Sequence, residues 1–160
     1  MAESRLPALG RRGGGWVALQ ALLILLFAVC AVVGPRWPAA ARSWLSVIGS
    51  AIAVTGAVLA GDAALRLGKH LTPFPKPAAG SRLHTHGVYA LVRHPIYGGV
   101  AILLFGAAIT SSPLALIPVV LLFALFDAKR RVEERWLVEH DATYAEYRGQ
   151  VTHAMIPGVW

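Results

Sequence analysis

Long apolar runs separated by short charged clusters divide the chain into four candidate helices and two polar segments. The first run, WVALQALLILLFAVCAVVG from Trp16 to Gly34, holds 19 residues with one amide and no charge. A helix rises about 1.5 Å per residue, so roughly 20 residues cross a hydrocarbon core of about 30 Å. Pro35 and Pro38 then terminate it. The second run extends from about Trp44 to Leu65 and is rich in small residues, among them Gly49, Ser50, Gly56, Ala60 and Gly61. Small side chains let helices approach closely, which predicts a helix packed inside a bundle.

Residues Arg66 to Arg93 are polar, and Pro73, Pro75 and Pro77 exclude a regular helix there. A loop of that length in a small protein is expected to be functional. Two shorter apolar runs follow, Ile96–Ser111 and Pro113–Phe126. Only SSP separates them, so they form an antiparallel helical hairpin. The last run continues into the charged, helix-favouring stretch DAKRRVEERWLVEHDATYAEYRG, and the chain closes with THAMIPGVW. The pattern predicts an all-α integral membrane helical bundle with about four transmembrane helices and a cytosolic C-terminal helical tail. Residues 1–65 supply a cytosolic N-terminal segment and two membrane helices; residues 66–160 form the functional core.

Composition supports the membrane reading. Hydrophobic residues make up 56% of the 160 residues and charged residues 14%, against about 25% charged in soluble domains; mean hydropathy is +0.59. In a soluble chain the net charge of +7 would point to nucleic acid. Here the basic residues flank apolar runs, which predicts contact with a lipid bilayer and its anionic headgroups, and no nucleic acid partner. The positive segment before Trp16 resembles a signal peptide, but the run after it is too long and VGPRWPAA is a poor cleavage site, so a retained helix is expected. Cys30 is the only cysteine, which excludes an intrachain disulfide.

Lys and Arg placement gives the orientation. Arg5, Arg11 and Arg12 precede the first span; Arg66, Lys69, Lys76, Arg82 and Arg93 follow the second; Lys129, Arg130, Arg131 and Arg135 follow the fourth. Both termini and the long loop are expected on the cytoplasmic side. The hairpin then brings His94, Pro95 and Tyr97 near Lys129, Arg130, Glu133 and Glu134.

These residues admit more than one chemistry. Glu133 and Glu134 accept hydrogen bonds from hydroxyls or an ammonium, yet Lys129–Glu133 and Arg130–Glu134 are also spaced as ordinary helix-surface ion pairs. His94 titrates near neutrality and suits a base or donor, or equally a loop anchor. Pro95 suits the first turn of a helix. Gly98 and Gly99 permit close approach of a ligand or a neighbouring helix. Tyr89 and Tyr97 either stack on a purine or belong to the interfacial aromatic belt. His84 and His86 alternate around Thr85, but no HExxH, CxxC or carboxylate triad accompanies them, so no metal site is expected.

Taken together, GVYALVRHPIYGG, then RRVEERWLVEHDATYAEYRGQV and a late proline, resemble the isoprenylcysteine carboxyl methyltransferase family and its relatives, the phospholipid methyltransferases. The elements are Gly87, Tyr89, Arg93, His94, Pro95, Tyr97 and Gly99, then Glu133, Glu134, Leu137, Tyr144, Tyr147 and Pro157. One departure is His140-Asp141 where that family carries Phe-Gly, at the bend between the tail helices. The resemblance implies S-adenosylmethionine as cofactor, with Leu83, His84, Thr85, Tyr89, His94, Pro95, Ile96, Tyr97 and Glu133 as its contacts. It implies catalytic roles for His94, Arg130 and Glu134, with Lys129 or Arg130 beside the acceptor. The implied substrate is lipophilic and membrane-dissolved, methylated on a carboxylate, and the implied location is a bacterial-type inner or plasma membrane. A phospholipid N-methyltransferase, a sterol-reductase-type enzyme (which would need more helices) and a non-catalytic membrane interaction or transport protein are the competing readings.

Overall fold

The computed structural model describes residues 9–76 and 83–158; Pro77 and Arg82 lie outside them. Among the described residues all regular structure is helical. Helix α1 spans Gly14–Val33. Of its residues only Trp16 is buried, while Leu22, Leu25, Val32 and Val33 are between 59% and 74% exposed. A helix that turns this much aliphatic surface outward is stable only where the surrounding medium is itself hydrocarbon.

Helix α2 spans Ala39–Leu67, starting five residues before the apolar run and directly after Pro38. AAARS continues the helix because backbone hydrogen bonding needs no apolar side chain; the hydrophobic boundary and the helical boundary are different things. At 29 residues it is about 44 Å long, more than a bilayer core requires. Its buried positions Gly49, Gly56 and Ala63 recur every seven residues. They meet a matching series on helix α3, Pro95–Ser111. A Cβ on Gly49 would strike the Gly106 carbonyl, and one on Gly56 would strike Leu103 N and the Gly99 carbonyl. A Cβ on Gly99 would strike Ala60, and one on Gly106 would strike Ala53. The small-residue run thus forms an antiparallel seam in which the two backbones touch.

Between them the loop is not featureless. It opens and closes with single 3₁₀ turns, Gly68–His70 and Gly87–Ala90. Gly87 holds φ +65°, a backbone conformation that strains any other residue, and lies against the Arg66 guanidinium.

The hairpin turn is a 3₁₀ turn, Pro113–Ala115, capped by the Ser112 hydroxyl accepting from Leu114 N at 3.2 Å. Helix α4 therefore starts at Leu116 rather than Pro113, and runs unbroken to His140. Its first part, Leu116–Phe126, is apolar; the remainder, from Asp127 on, carries the charged residues. α1 and α2 are long and apolar enough to cross a membrane, whereas α3 has 17 residues, about 26 Å. At Asp141 the chain bends, and its Oδ1 accepts from Thr143 N at 2.9 Å and Thr143 Oγ at 2.6 Å. Those bonds start helix α5, Thr143–Gln150, so the acid that departs from the expected Phe-Gly organises the bend itself. Phe126, Leu122 and Ala101 pack on Ala154 and Met155, which folds the C-terminal tail back against α3 and α4.

Candidate functional site

The site is built where α3 begins. Arg93 N donates to the His153 carbonyl at 3.1 Å and His94 N to the Ala154 carbonyl at 2.7 Å, so the tail straps the entry to α3. Arg93 Nη1 adds bonds to the carbonyls of Val151 and Thr152, both at 2.7 Å. Pro95 takes the first helical position, where no N–H is required. A Cβ on Gly98 would collide with the Met155 carbonyl. Of the two adjacent glycines, one therefore admits the tail and the other admits α2.

On α4, residues one helical turn apart present two stripes. Phe126, Lys129, Glu133 and Leu137 face a cavity of about 390 Å³. Displaced by one position, Glu134 meets the Arg93–His94 segment instead, and Arg130 lies between Asp127 and Glu134. Glu134 is buried and its Oε1 accepts from Arg93 Nε at 3.0 Å and contacts His94 Nε2 at 3.1 Å, with Arg130 Nη1 at 3.7 Å. Burial alone would raise its pKa; the hydrogen bond and charge of His94, and then Arg93, outweigh that and lower it to about 2. Glu134 is an ionised bolt joining α4, α3 and the tail.

Glu133 has different surroundings. Its Oε2 accepts from Tyr97 Oη at 2.7 Å and lies 3.9 Å from His94 Nδ1. The rings of His94, Tyr97 and Phe126 stack in sequence, with centroids 5.6 and 4.9 Å apart. Lys129, only 1% exposed, forms no ion pair with Glu133. Its Nζ donates to Gln20 Oε1 on α1 at 2.6 Å and lies 5.2 Å from the Tyr97 ring centre. Arg130 is committed elsewhere, to Asp127.

Three tyrosines lie around the tail-side end. Tyr147 Oη donates to the Tyr89 carbonyl at 2.6 Å, and Tyr89 Oη to the Ala63 carbonyl at 3.3 Å. Burial pushes the Tyr147 hydroxyl up to about 12 and raises Tyr89 and Tyr144 further still, so all three remain protonated donors. The Tyr144 hydroxyl is buried with no hydrogen-bond partner.

The cavity wall thus includes Leu83, His84, Tyr89, His94, Pro95, Ile96, Tyr97 and Glu133 from the expected set. Thr85, Arg130 and Glu134 are not part of it. Gln20, Leu71–Phe74, Arg93 and Tyr144 line it without having been singled out for that role. For Gln20 a signal existed, since it is the one amide in an otherwise apolar span. Leu71–Phe74 belong to the loop whose length marked it as functional, though nothing in the sequence gave its place on the cavity wall.

Residues 44–143 match the sequence model of a family described as phospholipid methyltransferase. No curated protein matches the chain. Among solved structures, a eukaryotic intramembrane Ras methyltransferase, isoprenylcysteine carboxyl methyltransferase, is 25% identical with a TM-score of 0.66. The match covers 94% of this chain and 55% of that one, so this chain spans little more than half that protein's length.

Proposed function

Because the chain belongs to the phospholipid methyltransferase family, we propose that it transfers a methyl group from S-adenosylmethionine to a lipid or isoprenoid-type substrate dissolved in the membrane. Residues 66–160 act as the catalytic core and both termini face the cytoplasm. The observation that carries this reading is one cavity reaching from Tyr144 and Leu137 on the tail side to Gln20, Val100 and Phe126 on the membrane side. Its volume of about 390 Å³ falls within the range of small-molecule sites, roughly 300–1,000 Å³.

The residues present fit such a cofactor. Glu133 and the face of Tyr97 form a surface suited to a sulfonium or ammonium cation. The Tyr144 hydroxyl is a buried donor without an acceptor, which a ribose or carboxylate oxygen would satisfy. When bound, the cofactor supplies an activated methyl group. The chain's own work is alignment: His94, Tyr97 and Phe126 form a stacked wall that fixes the ligand's position, and in-line displacement depends chiefly on such alignment. Glu134 holds the His94 ring from behind and is itself held by Arg93, with Arg130 at 3.7 Å, which makes Glu134 a positioning residue and leaves Arg130 acting only through it. Methylation of a carboxylate needs no base; methylation of an amine does, and the family description of phospholipid methyltransferase favours keeping that second acceptor in view.

Calorimetric titration of the detergent-purified protein with S-adenosylmethionine tests the proposal. Binding is expected, and its absence at millimolar cofactor would refute it. Variants His94→Ala and Glu133→Ala are expected to lose methyl transfer while still inserting and purifying as wild type; unfolding of both would instead assign these residues to structure.

A further inference from the structure

We propose that Arg12, in the turn just ahead of α1, is a positioning residue: by holding Phe74 it keeps the 69–74 segment closed over the cavity and slows release of bound cofactor. The inference rests on the methyltransferase reading above and adds a lid to that site. Leu71, Thr72, Pro73 and Phe74 line the cavity, yet Leu71 is 49% exposed and Pro73 is exposed as well. A segment that borders the cavity on one side and the exterior on the other is a partition one strand thick.

Few bonds fasten this partition. Among the described residues its hydrogen bonds are local, from Leu71 N to the Gly68 carbonyl at 3.1 Å and from Phe74 N to Thr72 Oγ at 3.2 Å. At one end Gly68 holds φ +52° with open space where a side chain would stand, which suits a hinge. At the other end Pro75 is fully buried and fixes the chain. Pro73 restricts the backbone between them, so the segment moves as a stiff flap. What holds the flap is the Arg12 guanidinium, 4.8 Å from the Phe74 ring centre. Arg12 is itself well placed to do so. Gly13 N donates to the Gly10 carbonyl at 3.1 Å and Gly15 N to the Leu9 carbonyl at 3.0 Å, while Trp16, 5% exposed, anchors the start of α1. A cation on a fixed turn thus meets an aromatic ring on a hinged segment.

Trypsin reads the flap in the purified protein without cofactor. Cleavage after Lys69, an exposed residue of the flap, requires the segment to open, and its rate follows the population of the open form. Arg12→Gln and Phe74→Leu are expected to speed that cleavage by about two- to fivefold, the worth of an exposed cation–aromatic contact. The reference is cleavage after Arg148, an exposed site on α5. Arg12→Lys, which keeps a cation over the ring, and Arg11→Gln, which removes a neighbouring charge, are expected to match wild type. Release of S-adenosylmethionine is expected to quicken by a similar factor in Arg12→Gln, with the unfolding temperature unchanged. Equal cleavage of wild type and Arg12→Gln overturns the inference, as does an equal gain in Arg11→Gln or an equal rise after Arg148. Faster cleavage with unchanged cofactor release overturns it too, since the flap then opens without controlling the site. If wild type binds no S-adenosylmethionine, the methyltransferase proposal falls, while the cleavage comparison still decides whether Arg12 holds the flap.

Discussion

Replacing Glu134 by glutamine keeps the side chain's shape and removes its charge. In the folded protein that carboxylate is held ionised against its burial by His94 and Arg93, and its pKa is lowered from the ordinary value of 4.5 to about 2. One pKa unit corresponds to about 1.4 kcal/mol, so the ionised form contributes about 3 kcal/mol to stability at neutral pH. A folded-state pKa below the unfolded one means that this stability is fully present above pH 4.5 and is lost as pH falls toward 2. Glu134→Gln should therefore cost about 3 kcal/mol at pH 7, a drop of roughly 6–12 °C in unfolding temperature for a chain of this size. The gap between variant and wild type should shrink as the pH is lowered from 4.5 to 2. Thermal unfolding in detergent, followed by tryptophan fluorescence at several pH values, measures both. If the variant matches wild type at pH 7, or the gap stays constant down to pH 2, Glu134 is not the charged bolt described here. Glu133→Gln provides the contrast: its partner is the Tyr97 hydroxyl, and its effect should fall on cofactor affinity more than on unfolding temperature.

Two further substitutions probe the packing that holds the site. Gly98→Ala drives a methyl group into the Met155 backbone carbonyl, so overpacking should cost about 1–3 kcal/mol and loosen the tail. Limited proteolysis should cut the 151–158 segment faster, whereas Gly61→Ala, with open space around its Cβ, should leave the tail protected and stabilise α2 by roughly 0.5–1 kcal/mol. Tyr147→Phe removes the 2.6 Å bond to the Tyr89 carbonyl and leaves that acceptor buried, at about 1–3 kcal/mol. The variant should unfold at lower temperature and bind cofactor more weakly, since the Tyr89 turn forms part of the cavity; unchanged values in both assays would show that the bond does not support the turn.

The helical architecture was legible because membrane helices announce themselves as apolar runs bounded by proline and charge. The small residues of α2 and α3 also forecast close packing, and their sevenfold recurrence shows how the seam runs. Less was readable where contacts are distant in sequence. Nothing in the sequence could pair the backbone of Arg93 and His94 with His153 and Ala154, because backbone bonds carry no side-chain signature. The choice between Lys129 and Arg130 depended on helix phase. Adjacent residues differ by about 100° around a helix axis, and only the packed structure tells which faces the cavity. The His140-Asp141 departure was visible, but not that Asp141 would start α5 by bonding Thr143.

His94 shows why the turn into the membrane and the chemical site need not be alternatives. Its backbone is held by the tail and its ring is held by Glu134, which stays ionised at any ordinary pH and so requires a donor. In the neutral ring Nε2 must then carry the hydrogen, which makes Nδ1 the nitrogen with a free lone pair. Nδ1 is also the atom that lies 3.9 Å from Glu133, on the cavity wall. The corner thus determines which nitrogen of the neutral ring carries the free lone pair, and Glu134 governs that choice without lining the cavity. An amine acceptor would use Nδ1 as its base, while a carboxylate acceptor would leave it idle.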